Sequence, residues 1–257
     1  MGEALLSRLI TEKVYAADEV LVSEPQPQRR DFLRQKYQVQ VTGDNRAVAV
    51  ASEVLLLAIK PQVFDSVIAE LSAGGQVTSK PLVISILAGV TLSRLESAFP
   101  GCPAIRAMPN TPATVGAGMT AIAAGKEVDQ RHLSLAQSIF EAVGQVVEVP
   151  ESLMDAVTGL SGSGPAYVAI LVEALSDGGV AAGLPRPIAS QLALQTVLGT
   201  AKLLQESGLH PAELKDRVTS PGGTTIAGVA QLEEAGFRSA AIKAVRAAYQ
   251  RSQELGK

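Results

Sequence analysis

The stretch VLLLAIKP, residues 54–61, decides the fold class of this chain. Its unbroken apolar run, closed by a lysine and a proline, is the pattern of a strand that is buried on both faces. A second run of this kind, PLVISIL at residues 81–87, precedes a capped helix that we predict at 91–99. Buried strands that alternate with helices predict a mostly parallel, doubly wound sheet.

Shorter strand and helix patterns continue on either side of these two runs. The strands are predicted at residues 18–25, 104–108, 119–124 and 145–149, and the helical segments at 32–37 and 129–143. An apolar pattern at helical spacing also starts at residue 2, without a preceding strand or a capping residue. We therefore place one α/β domain at residues 1–150.

The strand patterns stop near residue 150, and the remainder of the chain is helical in pattern. Helices are predicted at residues 165–182, 187–206, 211–217, 226–234 and 238–255. The segment PAYVAILVEAL, at 165–175, is apolar nearly all round, which indicates burial on several sides. We expect a helical second domain at residues 151–257 that packs against another copy of the chain.

The composition narrows the classes of function. The 257 residues carry a formal net charge of −3. The chain therefore lacks the excess of basic residues that would indicate a nucleic-acid partner. One cysteine and two histidines are too few for an ordinary zinc site, and a lone cysteine fits a reducing compartment. The sequence contains no run of about 18 apolar residues, so we expect no segment of it to span a membrane. We expect a cytoplasmic enzyme, without metal, membrane or nucleic-acid partners, whose chemistry comes from a cofactor.

Two polar stretches follow predicted strands, at the edge where ligands bind in a doubly wound sheet. One is KP at 60–61, with DN at 44–45 upstream, and an ordinary strand-ending turn also explains it. The other, RAMPNTP at 106–112, offers an amide and a hydroxyl, which a tight turn explains equally well.

The stretch VTSPGGTTI, at 218–226, carries the strongest chemical signal. Its two glycines let consecutive backbone amides converge, and Ser220, Thr224 and Thr225 add hydroxyls. The helix that starts here adds a partial positive charge at its N-terminus. Such a site suits an anion such as a carboxylate, and it exceeds what a capped helix alone needs.

Several other features favour a structural explanation. LSGSGPAY at 160–167 lacks the second glycine of a nucleophile elbow, so a helix start explains it better than an esterase site. GAGMTA at 116–121 leads into a strand-like segment, which contradicts a dinucleotide fingerprint. We expect His132 at the surface, His210 in a capping or packing role, and Cys102 to be inert.

The stretches AIKP (58–61), MPNTP (108–112), LSGSGPAY (160–167) and LKDRVTSPGGTTIAG (214–228) occur in this order, and together they resemble the Δ1-pyrroline-5-carboxylate reductase family. The resemblance runs from residue 2 to the C-terminal helix. It implies reduction of a cyclic imine, Δ1-pyrroline-5-carboxylate, to L-proline by hydride transfer from NAD(P)H in the last step of proline biosynthesis. It also implies a Rossmann-like dinucleotide-binding domain and an all-helical domain for substrate binding and dimerisation. Homodimers of this family often assemble further into decamers.

The resemblance assigns site residues by their positions in these motifs. It implies that the cofactor is lined by Gly2, Ser23, Glu24, Asn45, Ala58, Lys60 and Pro61, with Met108, Asn110 and Thr111 near the nicotinamide. It implies that the substrate is held by Ser220, Gly222, Gly223, Thr224 and Thr225. Thr225 would act as the catalytic residue by hydrogen-bonding the ring nitrogen. A protonated cyclic imine accepts hydride readily, so no strong side-chain acid is required.

The choice of cofactor depends on the end of the strand predicted at 18–25. Glu24 stands where an acidic residue favours a free ribose 2′-hydroxyl and therefore NADH. Arg29 and Arg30 follow closely and could instead hold a 2′-phosphate. The family leans to NADPH, and we expect NADPH, with NADH as the alternative.

The first residues depart from the pattern of the family. There a strand and a G-x-G-x-x-G turn precede the helix that starts here at Gly2, which aligns with the last glycine of that turn. We hypothesise that Met1 is a misassigned start and that the natural protein is longer by about ten residues. If the chain does begin at Met1, we expect weak dinucleotide binding and poor stability.

Two alternative functions stay open from the sequence. One is an N-terminally truncated, cofactor-incompetent oligomeric homologue. The other is a related β-hydroxyacid dehydrogenase-like reductase, which should carry a lysine general acid on its central helix, whereas the helix predicted at 165–182 contains no lysine.

Overall fold

The structure, a computed structural model, describes residues 1–51, 53–72 and 80–256. It divides into two compact units, which consist of residues 1–162 with 247–257 and of residues 163–246. The C-terminal helix contributes residues to both units. This division differs from the sequence-based boundary at residue 150, because the segment at 151–162 packs with the first unit.

Within its described residues, the first unit contains seven strands and most of the shorter helices. The strands are β1 Leu21–Ser23, β2 Gln40–Thr42, β3 Val54–Leu57, β4 Leu82–Ser85, β5 Ala104–Pro109, β6 Gly118–Ala124 and β7 Gly144–Glu148. The helices are α1 Gly2–Thr11, α2 Pro27–Tyr37, α3 Asn45–Ala51, α4 Phe64–Ser72, α5 Leu92–Ala98, α6 Gln130–Glu141 and α7 Met154–Val157. A π-helical turn, Thr158–Gly162, follows α7.

The strands form a five-stranded sheet in the order β3-β4-β5-β6-β7 and a separate pair, β1-β2. All neighbouring strands are parallel except β5 and β6. Helices separate β1 through β5 along the chain, as a doubly wound sheet requires. The Rossmann-like class predicted from the sequence is therefore confirmed.

Strand β4 is buried over its whole length and contributes side chains to two hydrophobic cores. Leu82 and Ile84 pack on one face of the sheet, where α1 and α6 contribute Leu5 and Phe140. Val83 packs on the other face, where α4 and α5 contribute large apolar side chains. This burial on both faces is the reason that the strand lacks an alternating polar pattern.

Helix α1 forms because its apolar side chains recur at helical spacing, and Leu5, Leu6 and Leu9 are buried. In its first turn Glu3 accepts hydrogen bonds from the Tyr37 hydroxyl at 2.7 Å and the Lys36 ammonium at 3.2 Å. It also pairs with Arg29 of α2. The Tyr37 hydrogen bond, followed by those from Arg29 and Lys36, lowers the pKa of the Glu3 carboxyl to about 2.

The second unit is helical throughout. It contains α8 Gly164–Ala181, α9 Arg186–Ser207, α10 Pro211–Val218, α11 Thr224–Glu234 and the first half of α12 Phe237–Leu255. Many of its large apolar side chains are exposed in the single chain, including Val168, Ile170, Leu175, Leu192, Leu194, Leu198 and Ile242. The helical C-terminal half predicted from the sequence is confirmed, and its exposed apolar surface fits burial against another subunit.

Replacing Glu3 with Gln should lower stability at neutral pH and leave it unchanged in strong acid. A carboxyl whose pKa is lowered from 4.5 to about 2 stabilises the folded state fully above pH 4.5, and this contribution is lost as the pH falls towards 2. We expect a loss of about 1 kcal/mol at pH 7, since solvent screens the cluster. Urea unfolding between pH 7 and pH 3 measures it, with the exposed Glu141→Gln as the charge-matched control. A Glu3→Gln loss that is the same at pH 7 and pH 3 would contradict this account.

Gly144 is required where β7 pairs with β6. Its φ of +147° lies in the region that favours glycine. Its partner in the ladder is Gly118, and a Cβ on Gly144 would overlap the Gly118 backbone. The two glycines therefore allow an unusually close approach of the strands.

Gly144→Ala should lower the free energy of unfolding by more than about 2 kcal/mol, because the backbone conformation and the contact are both incompatible with a methyl group. Thermal and urea unfolding measure the change. Gly178→Ala is the control, since a Cβ at Gly178 in α8 meets open space. Equal stability of the two variants would show that β6 and β7 can separate without cost.

Candidate functional site

The carboxyl ends of β3, β4 and β5 lie at one edge of the sheet, because these three strands are parallel. Ala58, Lys60 and Pro61 follow β3, and Ala58 and Lys60 are exposed. Asn110 and Thr111 follow β5. The structure thus brings the two polar stretches after these strands to the edge at which ligands of doubly wound folds bind.

Helix α1 begins beside the end of β3. A Cβ built on Gly2 would lie 3.0 Å from the Cβ of Ala58, so the two backbones approach more closely than a larger side chain allows. The first backbone N–H groups of α1 therefore stand next to the exposed turn after β3. Such an arrangement suits a phosphate group, and the residues present fit a dinucleotide at this edge.

Three polar side chains are linked at the end of β1. The Ser23 hydroxyl donates to Asn45 Oδ1 at 2.8 Å. Asn45, the first residue of α3, donates from Nδ2 to Glu70 Oε2 of α4 at 2.9 Å. Ser23 and Asn45 were predicted from the sequence. Glu70 was not, since no spacing rule connects a glutamate to a residue 25 positions earlier.

The two arginines considered for a 2′-phosphate are engaged within the chain. Arg29 pairs with Glu3. Arg30 donates from Nη1 to the backbone carbonyls of Glu24 at 2.7 Å and Pro25 at 2.9 Å, and so pins the loop after β1. The Glu24 carboxylate accepts from the backbone N–H of Gln26 at 3.0 Å. The charged groups of Arg30 and Glu24 therefore stabilise the conformation of this loop through hydrogen bonds to its backbone.

Asn110 uses both ends of its amide to connect segments of the first unit. Its Oδ1 accepts from the backbone N–H of Met119 at 2.9 Å, and its Nδ2 donates to the carbonyl of Ser161 at 3.1 Å. Ser161 belongs to the π-helical turn, a form that is rare and frequent at functional sites. A Cβ at Gly162 of that turn would lie 3.0 Å from the Met108 side chain. The turn thus packs directly on the MPNTP segment.

Arg106 is a buried cation on β5 that sequence reasoning did not assign to the site. Its Nη1 pairs with Glu151 at 3.2 Å, and Glu151 also accepts from the backbone N–H of Leu92 at 2.6 Å. Nearby, Asp155 accepts from the Ser252 hydroxyl at 2.7 Å. A cavity of about 240 Å³ beside these groups is lined by Gly89, Thr91, Arg106, Asp155, Gln253 and Gly256. A charged residue within an apolar strand was the only sequence signal for this cluster.

The SPGGTT segment forms a tight turn that leads into α11. The N–H of Gly223 donates to the carbonyl of Ser220 at 3.1 Å, and Gly222 between them has a φ of +68°. A Cβ at Gly223 would require the Ser220 hydroxyl to move. Among the residues that the structure describes, the hydroxyls of Thr224 and Thr225 make no hydrogen bond. Backbone N–H groups and free hydroxyls thus converge at the helix N-terminus, as an anion site requires.

The histidines and the cysteine lie in structural positions, although His132, expected at the surface, is half-buried. His132 Nδ1 accepts from the N–H of Asp129, and His210 Nδ1 accepts from the N–H of Ala212, so both histidines cap helices. Cys102 is buried, and burial raises the pKa of its thiol. Residues 118–124 form β6, which excludes a dinucleotide fingerprint at GAGMTA. Within the described ranges, no three metal-binding side chains cluster and no helix is long and apolar enough to cross a membrane.

Two family models and several known proteins match the chain. Residues 151–255 match the model for pyrroline-5-carboxylate reductase dimerisation, and residues 1–89 match the model for NADP oxidoreductase, coenzyme F420-dependent. A pyrroline-5-carboxylate reductase from Synechocystis sp. is 67% identical over 100% of this chain and 95% of its own length. This chain belongs to the pyrroline-5-carboxylate reductase family. It is therefore an oxidoreductase of the kind that acts on a C=N bond, and its dimerisation domain indicates self-association.

Solved structures of the same family share the whole fold. The pyrroline-5-carboxylate reductase of Coxiella burnetii superposes with a TM-score of 0.93 at 38% identity, covering 100% of this chain and 95% of that one. The pyrroline carboxylate reductase of Plasmodium falciparum, solved with NADP bound, gives 0.89 at 30% identity with the same coverage. Both findings favour the pyrroline-5-carboxylate reductase family over the β-hydroxyacid alternative.

Replacing Asn110 with Ala should destabilise the first unit by about 1–2 kcal/mol, because the Met119 N–H and the Ser161 carbonyl both lose their partner. Urea unfolding followed by circular dichroism measures the loss. Thr114→Ala is the control, since its hydroxyl makes one exposed hydrogen bond to the carbonyl of Thr111. If Asn110→Ala is no less stable than the control, the amide does not hold the π-helical turn on β5.

Proposed function

We propose that this chain reduces Δ1-pyrroline-5-carboxylate to L-proline with NADPH as the hydride donor. The observation that carries the proposal is the SPGGTT turn, in which backbone N–H groups and free hydroxyls converge at the start of α11. This is the chemistry that a ring carboxylate needs. Membership of the family supports the same reaction.

The cofactor would be held along the edge of the first unit. Gly2 and Ala58 would admit the pyrophosphate to the start of α1, with Lys60 and Pro61 beside it. Ser23, Glu24 and Asn45 would face the adenosine ribose. Met108, Asn110 and Thr111 would border the nicotinamide, and Asn110 would act there through its backbone, since its amide is already engaged.

The substrate would be held by the SPGGTT turn. Ser220, Gly222, Gly223 and Thr224 would bind the carboxylate, and the Thr225 hydroxyl would hydrogen-bond the ring nitrogen. The bound nicotinamide supplies the hydride that the imine carbon accepts, and the nitrogen carries the proton that completes the amine. This chain's own residues then have to orient the ring and match its charges, which is mainly a positioning task.

NADPH is the preferred donor in this proposal, since a family model of NADP oxidoreductases matches residues 1–89 and a relative was solved with NADP bound. NADH is the weaker alternative. The exposed apolar surface of α8 and α9 would be buried in a homodimer, and dimers would assemble further into decamers. We place the enzyme in the cytoplasm.

The test is the oxidation of NADPH, followed at 340 nm, with and without Δ1-pyrroline-5-carboxylate, and the detection of proline as the product. We expect turnover that depends on the imine. A folded, dimeric sample that binds NADPH yet shows no such turnover would contradict the proposal. Absence of NADPH binding would instead favour the cofactor-incompetent homologue.

Thr225→Val should lower kcat/KM for the imine by about 10–100-fold, because a hydrogen bond to a charged group contributes roughly 1.5–3 kcal/mol. The dissociation constant for NADPH should stay unchanged. Thr11→Val, at the exposed end of α1, is the matched control. If Thr225→Val retains the kcat/KM of the control, Thr225 does not contact the reacting ring.

A further inference from the structure

We infer that Glu70 is a specificity-determining residue, which limits the preference for NADPH over NADH by fixing the direction of the Ser23 hydroxyl. Glu70 lies near the end of α4 and is assigned to no part of the site by the family motifs. It acts through the linked side chains of Asn45 and Ser23. The inference rests on the proposed placement of the adenosine ribose beside Ser23.

The Glu70 carboxylate determines which way the Asn45 amide points. A carboxylate has only acceptors, so the Asn45 group that faces it at 2.9 Å has to be the Nδ2 donor. The Oδ1 acceptor is then directed at Ser23. An amide turned the other way would place Oδ1 against the carboxylate, two acceptors facing each other, although Nδ2 could still donate to the Ser23 hydroxyl oxygen.

The Asn45 amide in turn determines the direction of the Ser23 hydroxyl. Its only hydrogen is donated to Asn45 Oδ1 at 2.8 Å. The remaining groups of the Ser23 oxygen are lone pairs, so this half-buried hydroxyl offers an acceptor to any ligand. It can accept from a free ribose 2′-hydroxyl, whereas a 2′-phosphate dianion has no hydrogen to donate.

Most arginine groups near this relay, the hydrogen bonds that run from Glu70 through Asn45 to Ser23, are engaged within the chain. Arg29 and Arg30 are engaged by Glu3 and by backbone carbonyls after β1. Arg46 of α3 donates from Nε to the backbone carbonyl of Glu70 at 3.0 Å and is otherwise exposed to solvent. To receive a hydrogen bond from Ser23, a 2′-phosphate would have to turn that hydroxyl away from Asn45, at the cost of the hydrogen bond between these two residues.

Glu70→Gln is the informative substitution, because a glutamine can either donate to or accept from the Asn45 amide. Both orientations of Asn45 then become accessible, and a 2′-phosphate can select the one that frees the Ser23 hydrogen. We expect the ratio of the dissociation constants, Kd for NADH over Kd for NADPH, to rise about fivefold. Fluorescence titration of the folded protein without substrate measures both constants.

Two further variants separate the relay from a simple loss of negative charge. Glu53→Gln is the charge-matched control, since Glu53 forms an exposed ion pair with Arg131 next to the start of β3. In a Ser23→Ala background, Glu70→Gln should no longer change the ratio, because the hydroxyl that transmits the effect is gone. A pure charge effect would persist in that background and would weaken with added salt.

The outcomes distinguish this inference from the proposed function. If the unmodified protein binds neither dinucleotide, the proposed function fails and this inference with it. If both dinucleotides bind but the ratio is the same in Glu70→Gln, or changes equally in the Ser23→Ala background, the relay is overturned and the proposed function stands. A rise confined to the variant that retains Ser23 supports the relay.

Discussion

The burial of β4 on both faces is the constraint on which the first unit depends. The side chains of Leu82, Val83 and Ile84 alternate between two cores, so α1 and α6 cover one face and α4 and α5 the other. The strands β3, β4 and β5, which are connected through these helices, run parallel, so their carboxyl ends meet at one edge. The proposed function places the cofactor at this edge.

The polar side chains at this edge stabilise local conformations as much as they offer contacts to a ligand. Asn110 joins two segments through its amide, Arg30 holds the loop after β1, and Glu70 orients Asn45. In the second unit the SPGGTT turn leaves hydroxyls and backbone N–H groups free at a helix start.

The strong apolar runs and capped helices could be predicted because their signals are local. The strands at β3, β4 and β5 and the Thr91-capped helix α5 were found within a few residues of their observed ends. Strand β2 and helices α3 and α4 were missed. The strand has three residues and the helix α3 seven, so neither provides enough periods for a pattern to stand out. Helix α2 was predicted only from residue 32, although it begins at Pro27.

The sequence by itself determined the fold class, the helical second half and the motif residues, because hydrophobic periodicity, glycine and proline placement and short motifs are properties of neighbouring residues. Only the tertiary structure decided which polar groups are already engaged. Asn110 and Ser161 are 51 positions apart, and Asn45 and Glu70 are 25 apart. Hydrogen bonds of this kind depend on how the chain returns to the same edge of the sheet, so no local pattern reveals whether a polar side chain is free to bind a ligand.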